Sequence, residues 1–237
     1  MRWSALFLGC ALAFGIPCLA QKPVPVAVAA AGDLRGVLEE LKTGFEAKHP
    51  GVQLQLSFGA SGSLTAQILQ GAPFDVFLSA DEGFPQQLQK AGLVQALFPY
   101  TTGSLTLWVR KDLALDPARD GWQVLFSPKI KKIATANPQV APYGRAAEAA
   151  LRRVGIYDRV QPRLVFADNI AQAAQFLQAG TAEAGLVSAT QANNPALRQA
   201  GVILLRSPHQ DQARAFRSYL TGAEGQAILA RHGFKKP

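Results

Sequence analysis

Residues 52–71 read VQLQLSFGASGSLTAQILQG, and the hydrophobic period changes inside this stretch. Val52, Leu54, Leu56 and Phe58 alternate with Gln53, Gln55 and Ser57, the period-2 pattern of a half-buried strand. Leu64, Ile68 and Leu69 follow helical spacing instead. Only small residues, Gly59-Ala60-Ser61-Gly62-Ser63, lie at the join. A strand that feeds a helix through such residues leaves the first N–H groups of the helix unpaired and uncovered, and their natural partner is an anion. The plainer reading makes Ser61 or Ser63 an N-cap before Leu64.

The same unit recurs along the chain. Val24–Ala31 is a short apolar strand pattern, Gly32-Asp33 is a turn, and Leu34, Val37, Leu38, Leu41 and Phe45 keep helix spacing. Phe74–Leu78 reads as a buried strand before Ser79-Ala80-Asp81 and a helix carrying Leu88. Thr101–Arg110 reads as a long strand, and Trp122–Phe126 opens a further set of elements with a helix over Gly144–Val154. Leu164–Phe166 is a strand that leads through Ala167-Asp168-Asn169 into a helix over Ile170–Leu177, and Ala184–Val187 is another strand. Helical spacing returns at Ala213–His232, broken at Gly222. Strands alternating with helices predict an α/β protein, with a mixed, mostly parallel sheet covered by helices on both faces. In such sheets ligands bind beyond the carboxyl ends of the strands, where Asp33 and Ser61 both fall.

The first twenty residues join one positive charge, an apolar run and a small-residue end at Cys18-Leu19-Ala20, which is the pattern of a secretory signal peptide. Pro17 and the short apolar run disfavour a membrane anchor. Cys10 and Cys18 are the only cysteines, so the chain after the leader carries neither thiol nor disulfide, and neither cysteine follows a clear lipidation pattern. The leader contains one of the 24 basic residues, Arg2, leaving 217 residues with 23 Lys and Arg against 16 Asp and Glu. That excess suits an anionic ligand. It is dispersed apart from Lys129-Ile130-Lys131-Lys132 and Lys235-Lys236, which read as solvated surface rather than a nucleic-acid patch.

Chemistry by the chain's own side chains finds little support. Ser61 lacks the second glycine of a nucleophile elbow, and His49, His209 and His232 all sit among turn or terminal residues. Neither paired histidines at ligand spacing nor a glycine-lysine-serine or glycine-lysine-threonine triplet occurs. Two lobes, export and several small-residue helix starts suggest a binder that closes on an anion by hinge motion.

Several motifs carry a closer likeness: Ala29–Leu34, Ser57–Leu64, Gly71–Asp81, Ala167–Ile170 and the ending Arg231-His232-Gly233-Phe234. In order and over nearly the whole chain after the leader, they resemble the periplasmic molybdate-binding proteins of ABC transporters. The resemblance implies a two-lobed type II periplasmic binding fold, with lobe 1 at residues 21–101 and 191–237 and lobe 2 at 102–190. It implies a periplasmic monomer that takes molybdate, and tungstate with it, to a membrane permease and its ATPase. No cofactor is implied, and molybdenum is met only as its oxyanion. By position, Ser61 would donate its hydroxyl and N–H, Ile170 its N–H, the Tyr143 loop a further donor, and Gly32 and Asp33 their backbone.

Three departures accompany the likeness. Asp33 stands where many such proteins have a serine and some an asparagine. Ser188 stands where some have a ligand tyrosine, while Tyr143 lies where those have a small residue. A returning strand after Leu205 is expected to be missing, by about twenty residues. Two alternatives follow: an exported hydrolase using Ser61, and a sensor or scaffold that keeps the fold without the ligand.

Overall fold

A computed structural model describes residues 22–189 and 197–237. The leader, and with it the signal-peptide reading, lies outside the described residues. Eight strands are present among them: β1 (Val24–Ala31), β2 (Val52–Gly59), β3 (Val76–Ser79), β4 (Val94–Val109), β5 (Ile133–Ala136), β6 (Leu164–Ala167), β7 (Ala184–Ala189) and β8 (Leu197–Leu204). The helices are α1 (Arg35–Lys48), α2 (Ser61–Leu69), α3 (Gly83–Lys90), α4 (Pro117–Asp120), α5 (Pro142–Arg153), α6 (Tyr157–Val160), α7 (Ile170–Gln178), α8 (Gln210–Thr221) and α9 (Ala223–Arg231). The strand order is β2-β1-β3-β8-β4-β7-β5-β6.

Parallel pairs flank β1 and β5, each the first strand of a strand-helix-strand unit. Antiparallel pairs occur where the long strands join in, β8 with β3 and with β4, and β4 with β7. The first part of β4 pairs with β8 from Val94 to Gly103, and its last part pairs with β7 from Ser104 to Val109. One strand therefore runs through both halves of the molecule.

Three apolar clusters form on this frame. In the first half, Val26, Leu38, Phe45 and Phe216 bury one face of the sheet beneath α1, α8 and α9, while Leu64, Ile68, Phe77 and Leu88 bury the other beneath α2 and α3. The second half has its own cluster around Ile133, Leu151, Ala173 and Leu186. Ala31, Ala60 and Ala80 from the first half join that second cluster. These alanines come from the carboxyl ends of β1, β2 and β3, where their small side chains let the halves approach.

The return strand expected to be missing after Leu205 is present before it. Strand β8 inserts between β3 and β4, pairing Ala200 with both Ser79 and Pro99. The sequence-based reading looked for that strand only after Leu205, whereas Leu197–Leu204 supplies it. The chain's last residues also tie down the middle of β4, because Thr102 and Lys235 exchange N–H···O bonds of 2.8 and 3.1 Å.

Candidate functional site

The strand-to-helix joins of the first half converge with two helix starts of the second. Strand β1 ends in a 3₁₀ turn, Gly32–Leu34, and β2 passes through Ala60 into α2. Helix α2 begins at Ser61 itself, and Ala60 caps it without a side-chain bond. The N-cap reading of Ser61 and Ser63 is thus corrected: with small residues and a tight β2 exit, the helix starts a turn earlier than Leu64. The Ser61 Oγ accepts the Ala80 N–H at 3.1 Å, which leaves its own hydrogen free. Across the gap, α7 starts at Ile170 after Asn169, whose side chain accepts the Gln172 N–H at 3.1 Å.

Tyr143 is not on an exposed loop. Pro142 occupies the first position of α5, where a missing N–H costs nothing, and Tyr143 follows in the first turn, 1% exposed. Three helix starts, at Ser61, Tyr143 and Ile170, thus border one small cavity, together with Gly32 and Asp33. All five residues marked from the sequence come together here. The space at its centre is about 10 Å³, room for about one water-sized sphere. Its lining contains neither Lys, Arg nor His. Positive potential comes instead from the helix ends and unpaired N–H groups, and reaches an anion without a neutralising side-chain charge.

Asp33 is the one ionisable carboxyl in this lining. The residue is half-buried, yet its Oδ1 is fully enclosed and has no hydrogen-bond partner. Its Oδ2 accepts the Tyr143 hydroxyl at 2.9 Å and the Gln199 Nε2–H at 2.6 Å. Burial raises the carboxyl above the usual carboxylate range, and outweighs the two side-chain hydrogen bonds and the nearby N–H groups of Asp33 and Leu34, which favour the charged form. Burial first, and the Asp33 charge second, hold the Tyr143 hydroxyl protonated.

Two further residues complete this group: Gln199, which the sequence alone does not single out, and Ser188, which it marks only as standing in the place of a ligand tyrosine. Gln199 is fully buried on β8, where Tyr100 donates to its Oε1 at 2.7 Å. Ser188 donates to the Tyr143 oxygen at 3.2 Å, so it supports Tyr143 rather than lining the cavity. A glutamine at the head of the apolar run Ala200–Leu204 was the available signal. Gly103 makes room for the cluster: a Cβ there would lie 2.1 Å from the Tyr143 hydroxyl and 2.6 Å from Gln199 Nε2.

Contacts also cross the cavity's rim. The Gly62 N–H donates to the Val140 carbonyl at 2.9 Å, and Arg145 pairs with Asp81 at 2.6 Å. A roomier cavity of about 290 Å³ opens at the other end of the strands, beside Phe74, Arg206 and His209. Its two charged side chains of opposite sign are already engaged, for Asp75 accepts from Ala27 N and Ser207 Oγ, and Arg206 donates to the carbonyls of Ile68 and Ala72. The smaller cavity, with free donors, is the candidate site.

Hydrolysis at Ser61 would require a base near its oxygen. His49 stacks on Phe45, His209 faces Asp75 and His232 faces Glu40, and none of the three lines the cavity. Among the described residues, no cluster of three or more His, Cys, Asp or Glu side chains is placed to hold a metal ion.

This geometry, a donor-lined gap between two α/β halves, defines a solute-binding protein. The chain belongs to the bacterial extracellular solute-binding protein family, whose model matches residues 26–235. The molybdate-binding protein ModA of Azotobacter vinelandii is 33% identical over 253 aligned positions, covering 99% of each chain. ModA of Rhodobacter capsulatus is 30% identical, covering 99% of this chain and 96% of its own. The solved periplasmic molybdate-binding protein of A. vinelandii superposes with a TM-score of 0.81 at 31% identity, over 90% of this chain and 99% of that one. The fold is accordingly the two-lobed α/β periplasmic binding fold.

Proposed function

We propose that this chain is the extracytoplasmic receptor of an ABC importer and captures molybdate, with tungstate as a second ligand, between its lobes. The observation that carries this reading is the convergence of three helix starts and the free Ser61 hydroxyl on one small cavity without a basic side chain. Such a site suits an anion that is fully ionised and needs only donors. Relatives named as molybdate-binding proteins support that particular oxyanion. We assign lobe 1 to residues 21–101 and 191–237, and lobe 2 to residues 102–190. Gly32, Asp33, Ser61, Tyr143 and Ile170 are the ligand-binding residues, bonding oxygen and not molybdenum. The protein works as a periplasmic monomer after removal of residues 1–20 and hands its ligand to a permease driven by an ATPase.

Closure follows from the frame. Strand β4 runs through both lobes, and a rotation about it opens the Gly62–Val140 and Asp81–Arg145 contacts. Sulfate and phosphate offer similar charge, so cavity size is the ground for selectivity.

Calorimetric titration of residues 21–237 with molybdate, tungstate, sulfate and phosphate tests the reading. Molybdate and tungstate should bind and sulfate should not. Ligand at a thousandfold excess over Kd should stabilise the fold by about 4 kcal/mol and raise its melting point by roughly 10 °C. Silence with all four anions would leave a module that has kept the fold without the ligand. Arg145→Ala should matter little by comparison. The Arg145 side chain is 45% exposed, so an ion pair worth about 0.2–1 kcal/mol should change affinity no more than about fivefold. A larger loss in the same titration would mean that the rim pair does more than close the edge.

A further inference from the structure

We propose that Asp33 meets the bound oxyanion as a neutral carboxylic acid, donating a proton on Oδ1 to a ligand oxygen. The inference rests on the oxyanion reading and assigns to the Asp33 side chain a role beyond its backbone N–H. It begins from an asymmetry between the two carboxyl oxygens. Oδ2 takes two donors, Tyr143 and Gln199, whereas Oδ1 is enclosed without any. The N–H groups of Asp33 and Leu34 lie near the carboxyl and favour its charged form, but Oδ1 has no hydrogen-bond partner, so an ionised carboxylate would still set a poorly solvated charge against a dianion, which costs free energy in a dry site. Protonated on Oδ1, the same group becomes a donor towards the cavity and keeps Oδ2 as the acceptor of its two fixed hydrogen bonds.

The surroundings supply no cation to stabilise the charged form. Facing Asp33 are the neutral Tyr143 of α5 and Gln199 of β8; behind them stand Ser188 of β7 and Tyr100 of β4. Asn169, before α7, lies close to Gly32. Two charged groups of the neighbouring elements have partners of their own: Asp81 is paired with Arg145, and the Arg35 guanidinium lies 4.5 Å over the Phe58 ring. Burial pushes the carboxyl up, in the direction the geometry requires. The sign for folding follows: the Asp33 contribution is full below the ordinary carboxylate pKa and is lost as pH rises through the raised value.

The proton balance is simple. Where Asp33 is ionised in the free protein, one proton is taken from solvent as the dianion binds, and it returns to solvent when the ligand leaves. Molybdate itself stays fully ionised near neutral pH and above, so it adds no proton step of its own.

The test is made on the wild-type protein and Asp33→Asn, titrated with molybdate between about pH 6 and 9 at constant ionic strength. Wild-type affinity should fall by up to about tenfold per pH unit above the free-state pKa of Asp33. Asp33→Asn carries a permanent donor, and should bind with no such slope and more tightly than wild type at the alkaline end. Infrared spectra of the molybdate-loaded wild type should show a carboxylic-acid C=O band; that band with a flat affinity would mean Asp33 is protonated before binding too, in accord with the proposal. A loaded wild type that binds molybdate and shows only carboxylate bands overturns it and leaves the oxyanion reading intact. No binding by wild type at any pH overturns both. The infrared result stands on wild type alone should Asp33→Asn fail to fold.

Discussion

Ser61→Ala should weaken molybdate binding by about ten- to a hundredfold and lower the stability of the free protein as well. Both losses come from one oxygen. Ser61 is 1% exposed at the first position of α2, and its Oγ already accepts the Ala80 N–H, so its hydrogen is the part left for a ligand. A hydrogen bond from a buried neutral donor to an ion contributes about 1.5–3 kcal/mol, which sets the fold-change. Removing the oxygen also strands the Ala80 N–H in a buried wall, at a cost of about 1–3 kcal/mol. Titration of the variant with molybdate measures the first loss, and urea unfolding without ligand measures the second. Ser63→Ala is the control, since Ser63 is exposed and does not line the cavity. Equal affinities for Ser61→Ala and wild type would remove Ser61 from the site.

The joins that build this cavity were the most legible part of the sequence. In Val52–Gly71 the period-2 pattern stops where the small residues start, and local backbone preference decides both. Less legible was anything whose partner lies far along the chain. Pro99 interrupts Val94–Tyr100 and argues against a strand there, yet β4 runs through it because the register with β8 shifts between Pro99 and Thr101. Gln199, beside the exposed Arg198, reads as a surface residue until Tyr100, 99 residues away, is brought to its Oε1. Tyr143 reads as a loop residue between Pro142 and Gly144, although proline at the first position of a helix announces a start as well as a turn. The Asp33 side chain was the hardest to judge, since its two partners come from α5 and β8, elements that only the assembled fold brings to it.

Gly62→Ala should produce the opposite signature from Ser61→Ala, a weaker ligand complex on a free protein that is no less stable. Gly62 is the second residue of α2, and its N–H reaches across the rim to the Val140 carbonyl. A Cβ at Gly62 would lie 2.8 Å from that carbonyl oxygen and 2.8 Å from the Phe84 ring. The ring belongs to the same lobe and can turn, but Val140 O is backbone of the opposite lobe, so the lobes must part there. Overpacking of this kind costs about 1–3 kcal/mol, and in the open form, with Val140 withdrawn, the cost disappears. All of it therefore falls on closure, lowering affinity by about ten- to a hundredfold. Within α2 itself, alanine gains up to about 1 kcal/mol over glycine in helix propensity, which keeps the melting point of the free protein level or raises it. Gly36→Ala in α1, where a Cβ would meet nothing within 4 Å, should show the gain in stability without the loss of affinity. A Gly62→Ala protein that binds molybdate as tightly as wild type would mean that the ligand is held without the rim closing, and the hinge would then have no part in capture.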